Sequence, residues 1–151
     1  MPYSTDLDVM EYQSYVFDQG ISEFTAYHGF AESDIERDIK RLWLPYQAII
    51  PDPTKTAVNS AADNTSYFNA SNLTAAQWTR ASVFRVLGWY ILPRLAAAIG
   101  GEGFLSMVAY YKMAYAEEIY AVINDGVEYN YGGSLQKVYV LPQRERQRRI
   151  R

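Results

Sequence analysis

Apolar residues recur at three- and four-residue steps along most of this 151-residue chain, which is the spacing of one face of an α-helix. The strongest run lies in residues 74–99, where further apolar positions widen the stripe around most of the helix. A helix of that kind belongs at the centre of a bundle. The pattern therefore predicts a mainly α fold, a small bundle of about four helices. The central stripe consists of Trp78, Ala81, Phe84, Leu87, Ile91, Leu95 and Ile99.

Capping and breaking residues set the limits of the predicted helices. Gly20 ends the first helix and Pro45 ends the second, in which Gly29 is a weak point. Pro93 lies inside the third helix and is expected to kink it, while Gly88 allows close approach of a neighbouring helix. Together with the periodicity, these signals predict helices over residues 6–18, 21–44, 74–99 and 103–124.

The two remaining segments have different patterns. Residues 45–73 are rich in Pro and small polar residues without a period, which predicts a long exposed loop. Residues 127–131 alternate apolar and polar side chains, Gly132-Gly133 favours a turn, and residues 135–141 form a second candidate strand. We therefore expect a helical domain at residues 1–126, followed by an extended, partly β C-terminal arm at residues 127–151.

The composition gives no positive sign of catalysis. Without Cys, and with His28 as the single histidine, the chain has no zinc motif, and the Glu117-Glu118 region matches no calcium loop. His28 is interpreted as a surface or helix-packing residue rather than part of a catalytic triad. We predict that the protein is not an enzyme and has no cofactor, metal site or membrane span. The N-terminal sequence also lacks the features of a signal peptide.

Charge is distributed very unevenly along the chain. Residues 132–151 contain six Lys/Arg and one Glu, a local charge of +5. Because the whole chain carries −3, residues 1–131 carry −8. A run of like charges does not join a core, and it is typical of a solvated or partner-binding arm. The arginines suit an acidic protein partner, and equally the phosphates of a nucleic acid.

Several features occur in an order that resembles a known family. A charged helix ends in an aromatic stretch at Asp34–Pro45, and a later helix begins near Thr74-Ala75-Ala76-Gln77-Trp78. A Tyr-rich helix then runs into Gly126-Val127-Glu128-Tyr129-Asn130-Tyr131, and an arm ending in Arg follows. This order is similar to that of the head-to-tail connector proteins, also called adaptor or head-completion proteins, of tailed bacteriophages.

The resemblance implies a structural virion protein at the head-tail junction, assembled in the cytoplasm of the host bacterium. Such proteins form a ring, usually of twelve copies, between the portal and the neck, tail-terminator or tail-tube protein, and genomic DNA passes through the ring without sequence-specific binding. The acidic face of helix 21–44 would contact the neighbouring subunit or face this channel. The portal-docking residues implied here are Tyr129, Tyr131, Val138, Tyr139, Val140, Leu141, Arg144, Arg146, Arg148, Arg149 and Arg151. The alternative is a small nucleic-acid-binding protein that uses the same arginines.

Overall fold

The structure is a computed structural model that describes residues 1–20, 23–43, 68–131 and 134–138. The described chain is mainly helical, with one two-stranded antiparallel sheet near its C-terminal end, which confirms the predicted fold class. The helices and strands are α1 (Asp6–Gln13), a 3₁₀ segment (Ser14–Gln19), α2 (Thr25–Leu42), a short 3₁₀ turn (Ala70–Asn72), α3 (Ala75–Arg85), a π-helical segment (Val86–Ile91), α4 (Leu92–Ile99), α5 (Glu102–Asp125), β1 (Val127–Tyr131) and β2 (Ser134–Val138).

The first predicted helix is shorter than its sequence pattern suggested. Thr5 is the N-cap of α1, and its backbone N–H donates to the Asp8 carboxylate at 2.7 Å. This bond satisfies one of the donors that are exposed at a helix start. The α-helix ends at Gln13 and the chain continues as a tighter 3₁₀ segment. Gly20 then terminates it with φ +85°, as predicted, since only glycine takes this backbone conformation without strain.

The second helix is a single uninterrupted element. α2 runs through Gly29 without a break, so the predicted weak point does not interrupt it. The Ser33 hydroxyl donates to the Gly29 carbonyl at 3.1 Å, four residues earlier in the same helix. This side-chain bond gives the Gly29 carbonyl a partner within the continuous helix. The predicted stop at Pro45, and most of the predicted loop at residues 45–73, lie outside the described residues.

The predicted helix at residues 74–99 contains an irregularity ahead of its proline. Between Val86 and Ile91 the chain is π-helical, and the Leu92 N–H donates to the Leu87 carbonyl, five residues earlier. Pro93 stands in the first turn of α4, where a missing N–H costs little. The expected disturbance thus appears as a widened turn upstream of Pro93. By length and composition alone, Ala75–Ile99 could cross a membrane, and half of its apolar window is buried in the structure.

Contacts divide the chain into two compact units. The helical unit comprises Met1–Ile35 and Ala75–Tyr120, and the hairpin unit comprises Glu36–Thr74 and Ala121–Arg151. In this grouping the C-terminal end of α2 belongs to the hairpin unit. The sequence pattern instead predicted a helical domain at residues 1–126, which includes all of α2. In the helical unit, a Cβ on Gly88 would lie 3.3 Å from the Lys112 backbone nitrogen, so α5 passes very close to the π-helical segment. The predicted close approach at Gly88 is confirmed.

Candidate docking site

The predicted docking arm begins as a regular β-hairpin. β1 pairs antiparallel with β2, with Val127 opposite Val138 and Tyr131 opposite Ser134. The alternating sequence after the last helix therefore forms a strand, as predicted. Gly126, with φ +100°, allows the chain to leave α5 and enter β1.

One aromatic side chain fixes the base of this hairpin. Tyr129 is 1% exposed, and its ring centre lies 6.2 Å from that of Trp43 and 6.1 Å from that of Phe68. Its hydroxyl accepts from the Asn69 backbone N–H at 2.9 Å and from the Asn72 side-chain amide at 3.3 Å. Tyr129 is thus a core residue of the hairpin unit. The predicted role of Tyr129 in portal docking stays a prediction; the structure places its side chain in the core, whereas alternation identifies a strand without saying which face is buried.

The two edges of the hairpin differ. On the outer edge of β1, the Thr74 N–H donates to the Glu128 carbonyl at 3.2 Å, and Leu73 forms a bridge with Tyr129. Among the described residues, no strand pairs with the outer edge of β2. The described hairpin therefore has one occupied edge and one edge open to pairing.

The hydrogen-bond register tells which backbone groups this open edge presents. Since the Glu128 carbonyl points away from β2, Glu128 and its partner Lys137 form a non-hydrogen-bonded pair. The Lys137 N–H and carbonyl consequently point outward from the other side of the hairpin, and by alternation so do those of Leu135. Both side chains are also exposed, with Leu135 at 58%. The sequence pattern did not select Leu135 or Lys137, because exposure depends on the pairing partner.

The other predicted arm residues fall into two groups. Tyr131 ends β1 and Val138 ends β2, so the hairpin brings both into its ladder. The remaining residues lie outside the described part of the chain: Tyr139, Val140, Leu141, Arg144, Arg146, Arg148, Arg149 and Arg151.

The single histidine belongs to a buried polar cluster in the helical unit. Nδ1 of His28 lies 2.8 Å from the Ser4 hydroxyl, and Nε2 lies 2.8 Å from the Asp6 carboxylate. Since the carboxylate only accepts, Nε2 carries a proton, and in neutral His28 the Ser4 hydroxyl donates to Nδ1. Ser82 adds a further hydroxyl 2.7 Å from that of Ser4. The cluster links the N-terminal segment to α2 and α3.

This cluster has the composition of a Ser-His-Asp triad but the reverse accessibility. Ser4 is 2% exposed, whereas the Asp6 side chain is 27% exposed. The adjoining surface pocket of about 310 Å³ is also lined by Pro2, Leu7 and Thr25. A nucleophilic serine must meet its substrate while the carboxylate stays behind the imidazole. The arrangement therefore supports a structural role, and it shows why His28 is buried rather than on the surface.

Comparisons with protein-family models, curated proteins and solved structures find no match for this chain. The described residues contain no cluster of His, Asp or Glu able to hold a metal ion. The features that bear on function are therefore the hairpin, its open edge among the described residues and the charge pattern of the sequence.

Proposed function

We propose that this protein is a structural virion protein of a tailed bacteriophage, forming an oligomeric ring between the portal and the tail or neck. It docks on the portal through its C-terminal arm, and the ring, with twelve copies, surrounds the DNA channel. Its other contacts are the neck, tail-terminator or tail-tube protein and the neighbouring subunits. Support comes from the order of helices and aromatic segments, from the acidic body and basic tail, and from the open hairpin edge.

The observation that carries the docking part of this proposal is the open edge of β2. An exposed strand edge pairs with a strand of another protein, in which case backbone hydrogen bonds supply affinity and flanking side chains supply register. In the sequence, three residues separate the end of β2 at Val138 from the basic tail that starts at Pro142. A strand edge followed by five arginines would combine backbone pairing with charge attraction to an acidic portal surface.

Binding to the portal ring encoded in the same genome tests this proposal. The full chain should co-sediment with purified portal rings, and electron microscopy should show added density below them. Deleting residues 142–151 should abolish co-sedimentation while leaving the far-ultraviolet circular dichroism unchanged, because the deletion removes neither α1–α5 nor the hairpin.

A matched pair of substitutions tests the strand edge itself. Lys137→Pro removes an outward N–H, and an edge strand tolerates proline at such a position. It should weaken portal binding about tenfold or more, the loss of roughly one to two backbone hydrogen bonds. Lys137→Ala keeps the N–H and should retain most of the binding. Unchanged binding by both the proline variant and the truncation would refute the docking proposal.

Deleting residues 142–151 also distinguishes portal docking from the alternative function, nucleic-acid binding. If residues 142–151 instead confer DNA binding whose affinity falls steeply with salt, the arginines contact phosphates and the protein is a small nucleic-acid-binding protein. Five arginines within eight residues are the feature in favour of that alternative.

A further inference from the structure

The face of α5 opposite its buried face carries an apolar stripe of its own. We define the outer seam as Ser106, Ala109, Met113, Ala116 and Tyr120, all of which are exposed. Met113 is 59% and Tyr120 54% exposed. On the buried face of the same helix, Tyr111, Tyr115 and Ile119 contribute to the core. A helix that is apolar on two opposite faces has more apolar surface than one core covers.

The spacing of the outer seam is that of a coiled-coil heptad. Ser106, Met113 and Tyr120 recur at seven-residue steps and occupy one core position, called a. Ala109 and Ala116 recur at the same step and occupy the other, called d. Alanine at d leaves little side chain between two helices, so their backbones approach closely. The described helix therefore presents a short, ready-made helix-pairing surface.

Two exposed charges flank the seam in complementary positions. Lys112 precedes the Met113 position and Glu117 follows the Ala116 position, which makes them the g and e residues of the heptad. They stand five residues apart and point in different directions around one helix, so they do not pair within it. Neither forms an ion pair with a described residue. The Lys112 ammonium lies 5.3 Å from the ring centre of Trp89, at the side of the seam.

The two flanking charges indicate which partner binds the outer seam and whether the partner helix runs parallel or antiparallel to α5. In a parallel pair of identical helices, a g residue of one helix faces the e residue five positions later in the other. Lys112 of each copy would then face Glu117 of its partner, giving two equivalent ion pairs. An antiparallel pair would instead bring the two Lys112 side chains together, which is repulsive. We propose that the outer seam binds a second copy of this chain, with the two α5 helices parallel and in register.

This contact closes at two copies, because the same surface is used on both sides. It concerns the free protein and does not depend on the docking proposal, which uses β2 and the basic tail. The seam spans fifteen residues of sequence, roughly 22 Å of helix. Since the interface is short, we expect a reversible, concentration-dependent dimer.

Sedimentation velocity over a series of concentrations tests the dimer. The full chain should shift from monomer to dimer as its concentration rises. Ala109→Glu places a carboxylate in the seam and should raise the dimer dissociation constant by about tenfold or more. Ala121→Glu makes the same change on the same helix outside the seam, at another exposed alanine, and should leave the constant unchanged. A chain that stays monomeric at all concentrations would overturn the proposal.

Charge reversal and cross-linking test the direction of the pair. Lys112→Glu and Glu117→Lys should each weaken the dimer, and the double reversal should restore it, even though the contact of Lys112 with Trp89 remains lost. Because the chain has no Cys, Ala109→Cys provides a single thiol. Parallel, in-register helices bring the two introduced thiols within disulfide distance, so mild oxidation should link the copies. Linking only when Ala109→Cys and Ala116→Cys chains are mixed would show an antiparallel pair and reject the parallel one.

Discussion

The helical unit and the hairpin unit are stabilised in different ways. In the helical unit, buried polar bonds around His28 act together with close helix packing at Gly88 and with ring contacts such as Tyr12 on Phe84, whose centres lie 5.5 Å apart. In the described part of the hairpin unit, ring packing and two hydrogen bonds converge on Tyr129. We expect the described hairpin to depend strongly on the Tyr129 ring, because both ring contacts and both of these hydrogen bonds involve that one side chain. Within the described part of the chain, no strand pairs with the far edge of β2.

The largest effect should come from removing that ring. Tyr129→Ala deletes the contacts with Trp43 and Phe68 and leaves the Asn69 N–H without its acceptor. We expect a loss of about 3–5 kcal/mol in the unfolding free energy of the hairpin unit, the usual cost of emptying a buried aromatic site. Urea titration followed by tryptophan fluorescence measures it, with Trp43 reporting on the hairpin unit and Trp78 and Trp89 on the helical unit.

Tyr129→Phe is the matched control for that experiment. It keeps the ring and removes only the hydroxyl, so the expected loss is about 1–2 kcal/mol. Equal losses in the two variants would show that the hydrogen bonds to Asn69 and Asn72, rather than the ring, stabilise the hairpin base. A loss seen equally by helical circular dichroism in Tyr129→Ala would contradict the contrast between the units.

A smaller effect is expected from the polar cluster of the helical unit. Ser4→Ala removes the hydroxyl that bridges His28 and Ser82, and both are left with one hydrogen-bond partner fewer. We expect a loss of about 1–3 kcal/mol, the cost of unsatisfied buried polar groups. Ser14→Ala changes an exposed serine and should alter the unfolding free energy by less than about 0.5 kcal/mol. Thermal unfolding followed by circular dichroism compares the two, and equal midpoints would show that the cluster adds no stability.

Two glycines of the helical unit offer a third comparison. In Gly88→Ala the added Cβ meets backbone atoms of Tyr111 and Lys112 at 3.3–3.4 Å, and backbone cannot move aside cheaply. We expect a net loss of about 1–2 kcal/mol after allowing for the better helix propensity of alanine. Gly29→Ala has nothing within 4 Å and should gain about 0.5–1 kcal/mol. The same thermal assay measures both, and a stabilised Gly88→Ala would mean that α5 yields at this point.

Local sequence patterns predicted the helices and strands, whereas the burial of individual side chains and the orientation of the β2 edge depend on long-range contacts. Three- and four-residue periodicity identified the helices because each buries one face, and Gly88 was recognisable as a close contact. Pro93 predicted a disturbance of the helix, but no local pattern indicated that it would take the form of a π-helical segment at Val86–Ile91. Alternation identified β1 as a strand, but the burial of Tyr129 depends on Trp43, about 86 residues earlier. Likewise, the outward direction of the Lys137 backbone groups follows from the bond between Thr74 and Glu128, which no local pattern contains.

The smallest expected effect is a dependence of the unfolding free energy of the helical unit on alkaline pH. Burial, followed by the hydrogen bond to Asp34, raises the pKa of Tyr90 above its usual value, and burial also raises the pKa of Tyr15 and Tyr111. Below about pH 10 these phenols are neutral in both folded and unfolded chains, so their contribution to stability is fully present. As the pH rises further, the unfolded chain ionises first and stability falls until the folded pKa is passed. Urea titrations at increasing alkaline pH should therefore show a shallower decline for Tyr90→Phe than for the unmodified chain. Identical declines of the unfolding free energy with pH would show that the phenol of Tyr90 ionises as easily in the folded chain as in the unfolded one. The Asp34 carboxylate would then be stabilised chiefly by Arg85, whose Nε lies 2.8 Å from it.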